Sequence, residues 1–372
     1  MRSKPRGWVA RNVIDGLVVL AVLIGGIWVI PRGLDLPSRS ADGQPAERTV
    51  PPPPSPTTVP TTVSVVPSTA AASTTRHQPP SAVVGRVRID GFVEGLVFGA
   101  GSLWIAAGHR LLRLDPATNR VTASIPIAPK DSGPAGLAFG AGAVWAPVAV
   151  PGSIWRVDPG SNKVAARIPL GESLAGFIGV AASEQAVWIT SGEQQDGQRG
   201  GILIRVDPRR NLVTARLPLP GVPSDVAVIH DSVWIATTSG QVLVVEPRRG
   251  RIVGAVDTGG PLGFTQTVAL GAGAVWLADP LARVVVRVDP AKLQAVARIP
   301  TGPVTALTAG NDVVWAVGPQ GILRIDPSRN RVTAMLPATE LNGILMVATG
   351  AGWLWAGSAD SIAKVDPKRV HA

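Results

Sequence analysis

Gly271-Ala272-Gly273-Ala274-Val275-Trp276-Leu277-Ala278, then Val284-Val285-Val286-Arg287-Val288-Asp289-Pro290, then Ala295-Val296-Ala297-Arg298-Ile299, decide the fold. The stretch reads as short strands punctuated by turns. Thr267–Leu270 is a first strand, and Gly271-Ala272-Gly273 turns it into a second around Trp276. A polar loop leads to the third strand at 284–288. Asp289-Pro290 then opens a turn into the fourth at 295–299. Proline presets φ for the turn, and the preceding carboxylate can accept the N–H groups that the turn leaves free.

The same unit recurs along the chain. Its tryptophans are Trp104, Trp145, Trp188, Trp234, Trp276, Trp315 and Trp355, at intervals of 41, 43, 46, 42, 39 and 40 residues. An acid–proline pair keeps phase with them at Asp115, Asp158, Asp207, Glu246, Asp289, Asp326 and Asp366. Four strands in about 42 residues, repeated radially, make a β-propeller blade. The expected fold is therefore all-β: a seven-bladed β-propeller over residues 83–372. The last unit lacks a fourth strand, while Val83–Ile89 is a strand without a blade. Matching Arg88-Ile89 to Arg298-Ile299 predicts that this N-terminal strand completes the last blade and removes an open edge.

The segment before the repeats is a different material. Residues 1–12 carry Arg2, Lys4, Arg6 and Arg11 and no acid, and residues 13–30 are an apolar run ended by Pro31. About 20 apolar residues span a bilayer as a helix, with a tolerated range from about 17. The basic flank places the N-terminus in the cytoplasm. The expected layout is a cytoplasmic tail over 1–12, one transmembrane signal anchor over 13–30, and the remainder extracytoplasmic. A cleaved signal peptide, with Ser38-Arg39-Ser40 as its site, is the alternative. Residues 31–82 are rich in Pro, Ser and Thr, as in Pro51-Pro52-Pro53-Pro54. Such a segment cannot pack a core and reads as a disordered stalk between membrane and propeller.

Composition limits the chemistry. With 0 cysteines the chain has no disulfide, thiolate metal site or cysteine nucleophile. The net charge is +10, mostly from arginine. Arginines recur on third and fourth strands (Arg113, Arg156, Arg205, Arg287, Arg324) and in the turns after them, and are expected as a basic outer rim. That rim is either a plain solvated edge or one attracted to anionic headgroups or acidic wall polymers. Nucleic acid is not an expected partner, because stacking aromatics do not accompany the arginines. The Gly-Ala-Gly triplets end at strands rather than helices, so they are hairpin turns and not phosphate loops. No cofactor is expected.

The unit "GAGAVW…RVDP…VARIP" resembles the YVTN/YncE-like propellers and the streptogramin (virginiamycin B) lyase-like propellers. The resemblance covers residues 83–372 and rests on the blade core. The lyase likeness implies histidine and acidic residues with a divalent metal at one mouth of the central channel. The candidates here are His109 and Asp279. His109 falls in a loop between second and third strands. His230 falls in a turn on the opposite face and His371 near the C-terminus, so neither joins His109.

Interblade connectors and the loops between second and third strands form one face. Its candidate ligand-binding residues are Glu94, Arg110, Lys130, Asp131, Glu172, Asp225, Arg283, Glu340 and Asp360. Residues 191–201, an insertion in the third blade, add Gln194, Gln195, Asp196 and Arg199 as a polar loop. The expected function is a membrane-anchored binding or scaffold module for an envelope protein or glycan. The alternative is a metal-dependent lyase or hydrolase.

Overall fold

In the computed structural model the described residues are 81–371, apart from 130–131, 196–197, 230–231, 261–267 and 342. The expected tail, anchor and nearly all of the stalk lie outside them. Among the described residues, no helix is long and apolar enough to cross a membrane.

Seven four-stranded antiparallel sheets are present. Blade one runs from Val93 to Pro126, two from Ala138 to Pro169, three from Gly179 to Leu219 and four from Pro223 to Asp257. Blade five runs from Val268 to Pro300 and six from Ala306 to Pro337. Blade seven takes three strands from Ile344 to Val365 and its fourth from Val83–Arg88. The ring is therefore closed by its N-terminal strand, as the sequence predicts. The register differs from the expected one by two residues. Arg86 faces Ala363 as Arg298 faces Val286, so Arg86, not Arg88, occupies the place of Arg298.

The turn chemistry explains the punctuation. Ala272 and Gly273 both have positive φ, 50° and 67°, which makes the tight hairpin turn between first and second strands. A Cβ at Gly99, the first glycine of the blade-one triplet, would overlap the Phe139 ring of the next blade. At the acid–proline turns Asp115, Asp158, Asp207, Asp289 and Asp326 accept N–H groups two residues on, at 2.8–3.0 Å. Hydrogen bonds within the turns hold these carboxyl groups below the usual range, led by the Ser161 hydroxyl at Asp158 and by the backbone N–H of Ala117, Arg210 and Lys292 at Asp115, Asp207 and Asp289. For Asp326 the Ser328 hydroxyl adds most and brings it to about 2.

Each blade carries one row of side chains at the same height. Trp104 faces Arg113, and Arg113 faces Ala123. The pattern repeats as Trp145–Arg156–Ala166, Trp276–Arg287–Ala297 and Trp355–Lys364–Gly85. The tryptophans are buried between sheets. The indole N–H of Trp104, Trp145, Trp276 and Trp355 donates to the glycine carbonyl five residues earlier. Four of the strand arginines depart from the solvated outer rim expected of them, while Arg324 and turn arginines such as Arg210 and Arg249 are exposed. The Arg113, Arg156, Arg205 and Arg287 guanidinium groups lie 5.3–5.7 Å from the indole centroids of their own blades. Three of them then reach into the turn of the next blade. Arg113 donates to the Pro159 carbonyl (2.7 Å) and Asn162 Oδ1 (2.9 Å). Arg287 makes the same pair with Pro327 and Asn330. Arg156 reaches Asn211 Oδ1 at 3.2 Å. The asparagine sits four residues after the aspartate with φ of 49–56°, a left-handed position that suits Asn.

The ring closes with the same device. Lys364 is only 7% exposed. Its Nζ lies 4.0 Å from the Trp353 centroid and donates to the Pro116 carbonyl of blade one (2.7 Å). Between blades four and five the polar latch is replaced as a pair. Val244 stands in the cation position and Leu293 in the asparagine position, and both belong to one apolar cluster.

Two outcomes test the latch. Arg287→Ala is expected to destabilise the ring by about 2 kcal/mol, because it removes charge-assisted hydrogen bonds and the cation–indole attraction together; urea unfolding measures it. Val244→Arg alone buries a cation without its acceptor, and adding Leu293→Asn is expected to recover about 1 kcal/mol or more of that loss in a double-mutant cycle.

Candidate functional site

Antiparallel pairing sends all interblade connectors and second-to-third loops to one end of the ring, here the loop face. The other two kinds of turn lie on the opposite, turn face. First strands line the central channel.

Glu94 and Asp225 stand at the channel mouth, on the first strands of blades one and four. Glu94 is the bulge residue between the pairs Val93–Ala107 and Gly95–Ala106. A bulge re-aims a side chain. The Glu94 carboxyl lies against Gly133, its Oε2 is buried without a hydrogen-bond partner, and burial pushes its pKa up to about 7. Asp225 follows the matching bulge in blade four. Its carboxylate accepts the N–H groups of Val226 and of Val268, the first residue of blade five's inner strand, each at 2.8 Å. Burial outweighs these two bonds and raises its pKa to about 7.

Four other candidates, Arg110, Glu172, Asp279 and Glu340, are held by partners. Arg110 bonds the Asp90 carboxylate at 3.2 Å. Glu172 lies 3.5 Å from Arg216 Nε, and Arg216 also donates to the Leu170 carbonyl. Asp279, 1% exposed, accepts the Ala282 N–H (2.8 Å) and lies 3.4 Å from Arg298, which also donates to the Thr258 carbonyl. Glu340 accepts the Ser81 hydroxyl through its carboxylate (2.7 Å) and Arg86 through its carbonyl. Arg86, Arg216 and Arg298 are thus one repeated device, a fourth-strand arginine bound to the connector of the preceding blade. The sequence reading missed this role. Its signal was the recurrence of arginine before the last apolar residue of the strand.

The carbonyl of Arg283 accepts the N–H groups of Thr301 and Gly302, while its side chain is exposed. Asp360 helps line an open groove of about 600 Å³ between blades seven and one, with Arg88, Asp90 and Phe92. Lys130, Asp131, Asp196 and His230 lie outside the described residues. Gln194, Gln195 and Arg199 are described in backbone only. The insertion is not the loop expected of it. Val187–Gln195 and Gln198–Asp207 form one hairpin paired as far as Gln195–Gln198.

His109 lies in the second-to-third loop of blade one, and Asp279 is in blade five. The structure does not bring them together. Among the described residues, no three of His, Asp and Glu form a group that could hold a metal ion. The loop face instead exposes three large apolar side chains. They are Phe92 (48%), Val150 (51%) and Leu281 (63%), on blades one, two and five. None was singled out from the sequence, because isolated apolar loop residues carry no periodicity.

No protein-family model matches the sequence, and neither does any curated protein. Solved structures do resemble the ring. The WD40 domain of Neurospora crassa Pan2 matches at 13% identity, TM-score 0.61, over 76% of this chain and 91% of that one. A chain from the crystal structure of the Mitotic Checkpoint Complex matches at 10% identity, TM-score 0.64, over 77% of this chain and 96% of that one. At such identities the likeness is one of fold: a seven-bladed β-propeller similar to WD40 domains.

Glu94 and Asp225 bind protons more tightly folded than unfolded. Their contribution to stability is complete at about pH 4 and falls as pH rises toward about 7. Asp326 acts oppositely, with a contribution present above about pH 4 and lost as pH falls toward about 2. Glu94→Gln with Asp225→Asn is expected to flatten the decline between pH 4 and 7 in urea midpoints.

Proposed function

We propose that this chain is a membrane-anchored, extracytoplasmic propeller of the YVTN/YncE-like repeat type, which binds an envelope protein or glycan through its loop face. The observation that carries the reading is the character of that face. Glu172, Asp279, Arg216 and Arg298 are engaged in holding blades to connectors, while Phe92, Val150 and Leu281 are presented to solvent. Exposed apolar residues on loops fixed by a rigid scaffold favour recognition. The nine-residue strand Val187–Gln195 extends the same face beyond the other blades. One of the fold neighbours comes from a multiprotein assembly, a use of the propeller that fits this reading. The apolar run at 13–30, with its basic flank, supports the anchor, and the repeat motif supports the family type.

The experiment is capture from solubilised envelopes on immobilised residues 81–372, since the ring is closed without the preceding segment. A specific component should be retained, and its retention should fall at least tenfold with Phe92→Asp plus Leu281→Asp. Absence of any captured component, together with turnover of a small molecule by the same protein, would sink the proposal. The anchor is tested separately: the full chain should stay with membranes after an alkaline wash, and release into the supernatant counts against it.

A further inference from the structure

The two faces of the ring differ in charge, and the difference comes from how the turns are built. On the turn face every blade presents at least one exposed cation. Examples are Arg120, Lys163, Arg210, Arg251, Arg331 and Lys368. The acids of the same turns offset only part of this charge: Glu246, Asp289, Asp326 and Asp366 pair with Arg249, Lys292, Arg329 and Arg369, while Arg120, Lys163, Arg210, Arg251, Arg331 and Lys368 take no part in these pairs. Glu184 and Asp312 are the exposed acids described on this face. The loop face is nearly balanced, with Asp90, Asp257 and Asp360 exposed beside arginines such as Arg88 and Arg283.

The chain also enters the ring on the turn face. Val83 pairs with Val365, and the Ala82 carbonyl accepts the N–H of Asp366, so Ser81 lies beside the turn at Asp366-Pro367. The segment that carries the apolar run therefore joins the propeller on its basic side.

We propose that the turn face docks on the anionic headgroups of the membrane that carries the chain. This rests on the anchored reading above. Cations spread around a ring, one or more per blade, match a planar field of phosphates. They match a nucleic-acid strand poorly, because on this face the indole rings lie beneath the arginines rather than exposed for stacking. Tethering makes the contact intramolecular, so weak attraction per residue suffices. The loop face then points away from the bilayer.

The test uses residues 81–372 without any anchor, so that its failure is separate from failure of the anchor reading. Sedimentation with vesicles of equal phosphatidylglycerol and phosphatidylcholine is expected to show binding in low salt, weakened at least tenfold in 0.5 M salt. Lys163→Glu, Arg210→Glu, Arg251→Glu and Arg331→Glu together should abolish it. Arg88→Glu with Arg283→Glu on the loop face should change it less than twofold. Near-ultraviolet circular dichroism verifies that each variant remains folded. Equal binding to pure phosphatidylcholine, equal loss with the loop-face pair, or binding to soluble polyphosphate but not to vesicles would overturn the proposal.

Discussion

The ring depends on one row of interactions, complete in five of the seven blades: a buried indole, a cation above it, and a small residue on the fourth strand. The small residue is Ala or Gly in the rows of all seven blades, including Ala215, Gly254 and Ala334. It leaves room for the turn of the next blade to settle over the sheet. The cation satisfies carbonyl and amide groups of that turn while the indole takes part of its charge. Sheet stacking alone is non-directional. The latch adds a geometric stop that sets each blade against the next, and Lys364 applies it across the closing joint.

Departures from the row are informative. Val244 and Leu293 change together, so one seam is sealed by apolar packing. Arg205 has Gly250 where an asparagine would meet it, and bonds Thr214 of its own blade instead. Blade four is thus joined on both sides without the asparagine bond. Asp225 spans the seam between blades four and five from the channel side, through the Val268 N–H. The stitching there is moved to the inner strands.

The same economy shapes the surface. Charged residues singled out from the sequence, Glu172 for ligand binding and Asp279 for catalysis, are partners of the fourth-strand arginines. The loop face adds exposed apolar side chains to a nearly balanced set of charges, and the turn face carries an excess of cations. The two faces therefore differ in character without a change in the repeat that builds them.

Strand number, blade number and ring closure were legible in the sequence. They follow from local rules: alternation, turn residues and a period kept seven times. The resting places of the charges were not. A cross-strand neighbour depends on register, and a latch partner lies more than 40 residues away, as Arg113 and Asn162 do. The two-residue offset of the closing strand arose in the same way, since Arg86 and Arg88 both alternate correctly. By itself the sequence determined a seven-bladed ring behind an apolar N-terminal segment. The tertiary structure alone decided which charges bind the ring together and which face outward. Those roles are set by distances between blades, which local pattern does not encode.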